Sequence, residues 1–226
     1  MNWIPVFERE RARYEDGEAR MAPEQIVRMG NAAYGAGLAL LMAGRDDEAG
    51  AWLDRAAARW RESWEHASPN SWGRPIGALK AELIAGPDRS AEVEELARWT
   101  LELGSATAES PIGRYAGALA LLALERWPEA RHVAESLRGR DDFPQDVADA
   151  LATIAAEDVV GYAEAVEAVL GSFETREEYL EGVAVADTVL ALQALARKRG
   201  IAHDLPPSPV LPGHVRSQRP DMSETD

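Results

Sequence analysis

The chain has 226 residues and a mass of 24.6 kDa, enough to bury roughly 70% of its unfolded surface in a core. A content of 46% hydrophobic and 28% charged residues excludes a largely disordered or fibrous chain. The absence of cysteine excludes disulfides, thiolate zinc sites and a cysteine nucleophile. The longest apolar run, 183–196, is too short to cross a membrane, and residues 1–5 lack the features of a secretion signal. We therefore expect a cytoplasmic protein without a membrane helix.

The charge balance is strongly acidic, with 24 basic and 39 acidic residues and a net charge of −15. A nucleic-acid binder needs a basic face to neutralise phosphates, so this balance predicts that nucleic acid is not the partner. Two explanations of the acidity remain open. It either maintains solubility, as in a saline cytoplasm, or provides an acidic face that steers a basic protein partner into contact.

Alanine occupies 41 positions, and the chain contains no segment with the alternation typical of a strand. This composition favours helix throughout. Pro and Ser at helix starts, with Gly just past helix ends, divide the chain into elements. The predicted helices lie at about 6–14, 23–43, 46–65, 74–85, 90–103, 111–126, 127–138, 144–156, 158–170 and 175–199.

A repeat with a period near 40 residues runs through these helices. Residues 74–79 recur as residues 114–119, and Gly37 occupies the same register 40 residues before Gly77 and 80 before Gly117. Because glycine inside a helix costs about 1 kcal/mol relative to alanine, the matching register predicts close helix contacts at these three positions. The pairs 23–65, 74–103, 111–138 and 144–170 are expected to be antiparallel hairpins.

Small and large packing residues recur at a fixed spacing within these pairs. The first set is Gly37, Ala49, Leu53 and Ala56, and a second set is Ala118, Leu121, Ala130 and Leu137. In this spacing the chain resembles the tetratricopeptide family over residues 23–171, although Ala33 and Ala36 replace the family's early Trp and Leu. The resemblance implies an all-α fold in which hairpins stack as a short solenoid of nine or ten helices. We expect one domain over 1–202, and a protein that works by binding proteins or peptides.

The last third of the chain shows a second resemblance. It is carried by 154–158, 162–165, 173–174, 187–192, 199–201 and 211–212. Here the chain is similar to helical immunity proteins of bacterial polymorphic-toxin systems, in which an Ala-rich helix ending in Arg-Gly precedes a Leu-Pro segment. This resemblance implies a protein that neutralises a toxin by covering its working surface. The alternative is a generic scaffold for peptides or proteins.

The sequence contains no pattern that indicates catalysis. The four histidines are scattered, at His66, His132, His203 and His214. Paired carboxylates such as Glu94–Glu95 and Glu177–Glu178 are typical of solvated helix faces, and no phosphate loop or nucleophile motif occurs. We predict no enzymatic activity, cofactor or metal. After the immunity protein and the scaffold, the third hypothesis is an enzyme whose active-site residues are distant in sequence and are brought together only by folding.

Arg74 and Arg114 stand at equivalent positions of the repeat, near the starts of two helices. In stacked repeats such positions place two guanidinium groups along one groove, where each can bind a carboxylate of a partner with paired hydrogen bonds. The alternative is local, with each arginine bound to a neighbouring loop carbonyl or acidic side chain.

Four tryptophans cluster in one part of the sequence, at Trp52, Trp60, Trp64 and Trp72. They form either a core contact between helices or an exposed patch for a partner, with Trp72 as the candidate contact. Asp187 lies in the most apolar helix, where a buried carboxylate needs a partner. It belongs either to a structural ion pair or helix edge, or to a binding groove.

The C-terminal tail, 203–226, is rich in proline and then becomes polar, so we expect it to be partly or wholly disordered. Leu205, Val210 and Leu211 are able to lie in extended form along the last helix pair, because a proline-rich strip loses little entropy on docking. Residues 214–226 are expected to be disordered. The tail is alternatively a peptide that another protein binds.

Overall fold

The structure, a computed structural model, describes residues 2–20 and 22–213, with Pro23 described only in its backbone. Within these residues it contains ten α-helices and no strand, which confirms the all-α prediction. The helices are α1 (Ile4–Arg20), α2 (Pro23–Met42), α3 (Asp46–Ser63), α4 (Gly73–Ala85), α5 (Ser90–Glu102), α6 (Pro111–Ala123), α7 (Trp127–Glu135), α8 (Gln145–Ala156), α9 (Val159–Glu174) and α10 (Asp187–Arg199).

Local chemistry defines several of the helix ends. Ser110 caps α6, because its hydroxyl accepts a hydrogen bond from the Gly113 N–H at 3.2 Å. Asp158 caps α9 in the same way, with Oδ1 2.9 Å from the Gly161 N–H. Gly200 ends α10 with a φ of 82°, a left-handed conformation that glycine adopts without strain. These short-range signals are why most of the predicted helix starts lie close to the observed ones.

Each helix from α1 to α9 packs against the next one along the chain. In addition, α4 contacts α6, and α6 contacts α8, so these three helices form a common layer. The last helix, α10, returns to this layer and contacts α4, α6 and α8 as well as α9. The face that α4, α6 and α8 share is therefore covered by the chain's own C-terminal helix.

The predicted close helix contacts are confirmed at Gly37 and Gly77, whereas Gly117 lies close to the connection between α5 and α6. A Cβ atom at Gly37 would lie 2.8 Å from Cγ of Leu53, and one at Gly77 would lie 2.8 Å from the Trp60 ring. At Gly117 the nearest atoms belong to the backbone of Ala106, in the turn between α5 and α6. Only a residue without a side chain fits at these positions.

Replacing Gly117 with leucine should destabilise the fold by about 1–3 kcal/mol, because the Ala106 backbone lies 2.6 Å from the position of a Cβ and is held by the turn. A thermal melt of the variant measures this loss. Gly171→Leu is the matched control, because no atom beyond the local backbone of its own helix lies within 4 Å of a Cβ at that position. Equal melting temperatures for the two variants would contradict the close contact.

The prediction of one closing helix over 175–199 is wrong at its start. The helix α9 continues to Glu174, residues 175–186 contain no α-helix, and α10 begins at Asp187. In this connection Glu181 has a φ of 55°, which breaks the helix. Arg13 forms an ion pair with the Glu181 carboxylate, and Arg9 donates to the Glu181 carbonyl at 2.9 Å. Contacts with α1, far away in sequence, therefore define the course of this segment.

The first helix is also longer than the predicted 6–14, since it extends to Arg20. Ion pairs one turn apart support the added turns. Arg11 contacts Glu8 at 2.5 Å and Glu15 at 3.6 Å, and Arg20 contacts Asp16 at 2.9 Å.

The tail up to residue 213 packs against the helices. Leu205, Val210 and Leu211 are buried, as expected for an extended strip that docks on the last helices. The Val210 carbonyl accepts a hydrogen bond from the Ala186 N–H at 2.9 Å, which fixes the strip beside the start of α10. The predicted disorder of residues 214–226 lies outside the described residues.

Candidate functional site

Arg74 and Arg114, the two arginines of the repeat, each bind a backbone carbonyl nearby. The Arg74 guanidinium donates to the carbonyl of Ser63, and Nε of Arg114 donates to the carbonyl of Ala108 at 2.9 Å. This is the local arrangement that was the alternative to a shared groove. A role for either side chain in partner binding stays a prediction.

The tryptophans pack at the contacts between helices. Trp60 and Trp72 are buried, and Trp52 and Trp64 pack against the core while partly exposed. The ring of Trp64 lies 6.0 Å from that of Trp72 and 6.1 Å from that of Trp99, measured between centroids. Nε1 of Trp60 donates to Asn31 at 2.9 Å. Trp72 is 7% exposed, and its role as a partner contact stays a prediction.

Asp187 forms an ion pair with Lys80. Its Oδ2 lies 2.6 Å from Nζ of Lys80 and accepts a second hydrogen bond from the Tyr34 hydroxyl at 2.9 Å. The side chains of Lys80 and Asp187 are only 9% and 15% exposed. The pair therefore connects the start of α10 to the middle of α4.

The charge of Lys80 decides the ionisation of this network. Burial acts to raise the pKa of Asp187, but the ammonium charge and the hydrogen bonds from Lys80 and Tyr34 outweigh it and hold the pKa below its usual value. Burial raises the pKa of Tyr34 well above the usual range, and the Asp187 carboxylate adds to that rise. Burial, with the same carboxylate, also raises the pKa of Tyr115. The two phenols accordingly remain protonated.

A cleft lined by carboxylates lies between α3, α4 and α5, with a volume of about 460 Å³. We call it the acidic cleft. Its acidic lining residues are Asp54, Glu62, Glu65, Glu82, Glu92 and Glu95. Ala57, Ala58 and Leu96 provide apolar wall, and Arg61, the one basic residue of the lining, forms an ion pair with Glu95.

Glu82 and Asp54 each have one carboxyl oxygen that accepts no hydrogen bond from the part of the chain that the structure describes. Oε2 of Glu82 and Oδ1 of Asp54 are buried, and neither has a hydrogen-bond partner among the described residues. The other Asp54 oxygen, Oδ2, accepts from Nη2 of Arg89 at 2.6 Å. Burial raises the pKa of Glu82 to about 7, and the neighbouring carboxylate of Asp54 contributes to the rise while Arg89 opposes it.

Glu82 and Lys80 were not among the candidate site residues predicted from the sequence. Both lie within the apolar helix α4, at positions where neighbouring side chains are buried. The signal that drew attention to Asp187, an ionisable residue inside an apolar helix, was present at both positions. An ionisable residue inside an apolar helix indicates a group that needs a partner. The partners of Lys80 and Glu82 lie on other helices, so the spacing of residues along the sequence does not identify them.

Comparison of the chain with protein-family models, with curated proteins and with solved structures finds no match. Within residues 2–20 and 22–213 no helix has the length and apolar character needed to cross a membrane. The same residues contain no group of three or more His, Asp or Glu side chains placed to hold a metal ion. The cleft therefore has to be interpreted from its own geometry.

Proposed function

We propose that the chain is a non-catalytic protein-binding protein whose acidic cleft captures a basic protein partner in the cytoplasm. The concentration of carboxylates carries this proposal, because six carboxylates line the cleft, whereas three guanidinium groups, those of Arg59, Arg61 and Arg89, form ion pairs with them. Such a cleft attracts a basic surface and repels phosphates, which disfavours nucleic acid as the partner.

We also propose that the helices form stacked hairpins of the tetratricopeptide type. The successive packing from α1 to α9, the contacts of α4 with α6 and of α6 with α8, and the close contacts at the repeat glycines support this arrangement. In stacked repeats, partners often bind the face shared by the first helices. Here α10 covers that face, and we propose the acidic cleft between α3, α4 and α5 as the binding surface instead.

The partner proposed is a toxin, so that the chain acts as an immunity protein. A net charge of −15 suits rapid capture of a basic toxin, since steering raises the association rate even when it adds little to the final affinity. Purification of the partner from the native host, followed by expression of that partner alone, tests this. Arrest of growth that coexpression of the chain relieves supports immunity, and a harmless partner contradicts it.

The alternative function is a scaffold for peptides. A second cavity, of about 600 Å³, favours it. This cavity lies between the ends of α2 and α4, the start of α5 and α10, and Leu41, Leu83, Val93 and Leu190 give it an apolar lining. A bound peptide that occupies this cavity, with no effect of changes in the acidic cleft, would select the scaffold over the toxin-binding function.

Association with the basic partner should slow by at least about tenfold between 10 and 150 mM salt, because the screening length falls from about 30 Å to about 8 Å. The dissociation rate should change much less, since it depends on buried contacts. Stopped-flow mixing of the purified partner with the chain measures both rates.

The control for this measurement is a pair of charge-matched triple variants. Glu62→Gln, Glu65→Gln and Glu92→Gln remove three charges from the acidic cleft, whereas Glu129→Gln, Glu135→Gln and Glu164→Gln remove three exposed charges from α7 and α9. The cleft variant should associate more slowly than the remote variant. Equal rates, or an association rate indifferent to salt, would refute capture by the acidic cleft.

A further inference from the structure

We propose that Asp54 and Glu82 form the floor of a subsite that receives an arginine side chain of the protein partner. This inference rests on the proposed function and names the chemical group that the acidic cleft recognises. It assigns the two carboxylates at the floor a role different from that of the exposed acids at the rim.

The observation behind the subsite is a buried side chain without its full set of hydrogen bonds. Glu82 is 4% exposed and lines the acidic cleft, yet its Oε2 accepts no hydrogen bond from the described residues. Oδ1 of Asp54, on the facing helix α3, is also buried and accepts no hydrogen bond from the described residues. Buried polar atoms in folded proteins nearly always have partners. Asp54 lies within hydrogen-bonding reach of Glu82, so a proton on Glu82 joins the two carboxyl groups, and this donor is lost when Glu82 ionises above about pH 7.

Once Glu82 has lost its proton, the donor that replaces it has to be positively charged. Two facing carboxylates repel each other when both are ionised, and either a shared proton or a cation relieves that repulsion. A metal ion fits poorly, because the described residues provide no group of three or more acidic or histidine side chains placed around one point. A cationic side chain needs no such cage and brings its own hydrogen-bond donors.

Among cationic side chains, the geometry favours arginine over lysine. A planar guanidinium carries five donors and is able to give one N–H to the Asp54 carboxylate and another to the Glu82 carboxylate, whereas an ammonium is a compact point charge. The apolar wall of Ala57, Ala58 and Leu96 suits the methylene stem of the same side chain. A volume of about 460 Å³ also leaves room for the flanking residues of a loop.

The chain's own nearby arginines are already occupied. Nη2 of Arg89 binds the other oxygen of Asp54 at 2.6 Å, and Nη1 of Arg89 lies 3.9 Å from Glu92. Arg61 is paired with Glu95. An added guanidinium therefore extends a row of alternating charges that begins at Arg89, and it compensates the negative charge that Asp54 and Glu82 share.

The test uses blocked amino acids as probes of the subsite, with the full chain carrying ¹³C-labelled Asp and Glu at pH 8, where Glu82 is largely ionised. Titration with Nα-acetyl-arginine amide should shift the carboxyl carbon signals of Asp54 and Glu82 in a saturable way. The uncharged analogue Nα-acetyl-citrulline amide should bind at least about tenfold more weakly, because it lacks the charge-assisted hydrogen bonds. Nα-acetyl-lysine amide should also bind more weakly than the arginine probe.

Two variants complete the experiment. Glu82→Gln should weaken binding of the arginine probe by about tenfold, and Glu129→Gln, which removes an exposed charge on α7, should leave it unchanged. Uniform shifts at exposed carboxylates, equal binding of citrulline, or lysine binding as tight as arginine would overturn the proposal.

These outcomes are distinguishable from failure of the proposed function. If the arginine probe does not bind but the partner still associates in a salt-dependent way that the cleft charges control, the subsite is wrong and capture by the cleft stands. If the probe binds at Asp54 and Glu82 but association with the partner is indifferent to salt and to the cleft charges, the proposed function is wrong and the arginine site stands.

Discussion

Replacing Lys80 with methionine should destabilise the fold by about 3 kcal/mol, because it leaves the Asp187 carboxylate without its counter-ion in a buried site. Nζ of Lys80 lies 2.6 Å from Oδ2 of Asp187, and the two side chains are 9% and 15% exposed. Methionine retains most of the length and apolar stem of lysine. The lost stability therefore comes from removal of the charge and not from a cavity. Urea unfolding at pH 7 measures it.

The double variant Lys80→Met with Asp187→Asn is the control for that measurement. Asparagine keeps an acceptor for the Tyr34 hydroxyl while removing the uncompensated charge. It should therefore recover at least half of the stability lost in the single variant. A single variant within about 0.5 kcal/mol of the unaltered chain would show that the ion pair contributes little.

This pair also illustrates why α10 packs where it does. Lys198, near the other end of α10, donates from Nζ to the carbonyl of Ala123 at the end of α6, at 2.6 Å. In the middle of the helix, Gln193 accepts a hydrogen bond from the Tyr162 hydroxyl at 3.0 Å. Polar contacts thus tie α10 to α4, α6 and α9, and they fix the register of an otherwise apolar helix on an apolar layer.

The parts of the fold that depend on local chemistry were predictable from the sequence. Predicted starts at 46, 90, 111 and 127 coincide with those of α3, α5, α6 and α7, because proline, glycine and, at Ser110, a capping hydroxyl act over short range. The segment 175–186 was not predictable in this way. Its left-handed residue Glu181 is held by Arg13 of α1, at a separation of 168 residues.

The acidic cleft was only partly predictable, for the same reason. The net charge and the hypothesis of an acidic face came from the sequence, but the face could not be located, since Asp54 and Glu82 belong to different helices and are brought together only by packing. An ionisable residue within an apolar helix is the signal that singles out Glu82, and it is a signal of incomplete pairing rather than of a particular ligand.

Glu82→Gln should stabilise the fold by about 2 kcal/mol at pH 8 and have little effect at pH 4. Burial, together with the charge of Asp54 on α3 and of Glu92 on α5, raises the pKa of Glu82 from its ordinary 4.5 to about 7, against the opposing charge of Arg89. A shift of this size corresponds to about 3 kcal/mol, and screening by water at the mouth of the cleft lowers the expected effect to about 2 kcal/mol.

The sign follows from proton binding in the two states. Below pH 4.5 Glu82 is protonated in both the folded and the unfolded chain, so its contribution to stability is fully present. Between pH 4.5 and about 7 the unfolded chain releases the proton while the folded chain keeps it, and the free energy of unfolding falls. Asp187, whose pKa is lowered, acts in the opposite direction and only below its ordinary value of 3.8. The two effects are therefore separated in pH.

Urea unfolding of the unaltered chain and of Glu82→Gln between pH 4 and 8 tests this. The amide of glutamine donates a hydrogen bond to Asp54 at every pH, so the curve for the variant should lack the decline between pH 4.5 and 7. Glu129→Gln, an exposed change on α7, should retain that decline. Parallel curves for all three proteins would mean that Glu82 ionises freely in the folded chain. Its carboxylate would then be hydrated, and the floor of the acidic cleft would have no need of a cation from a partner.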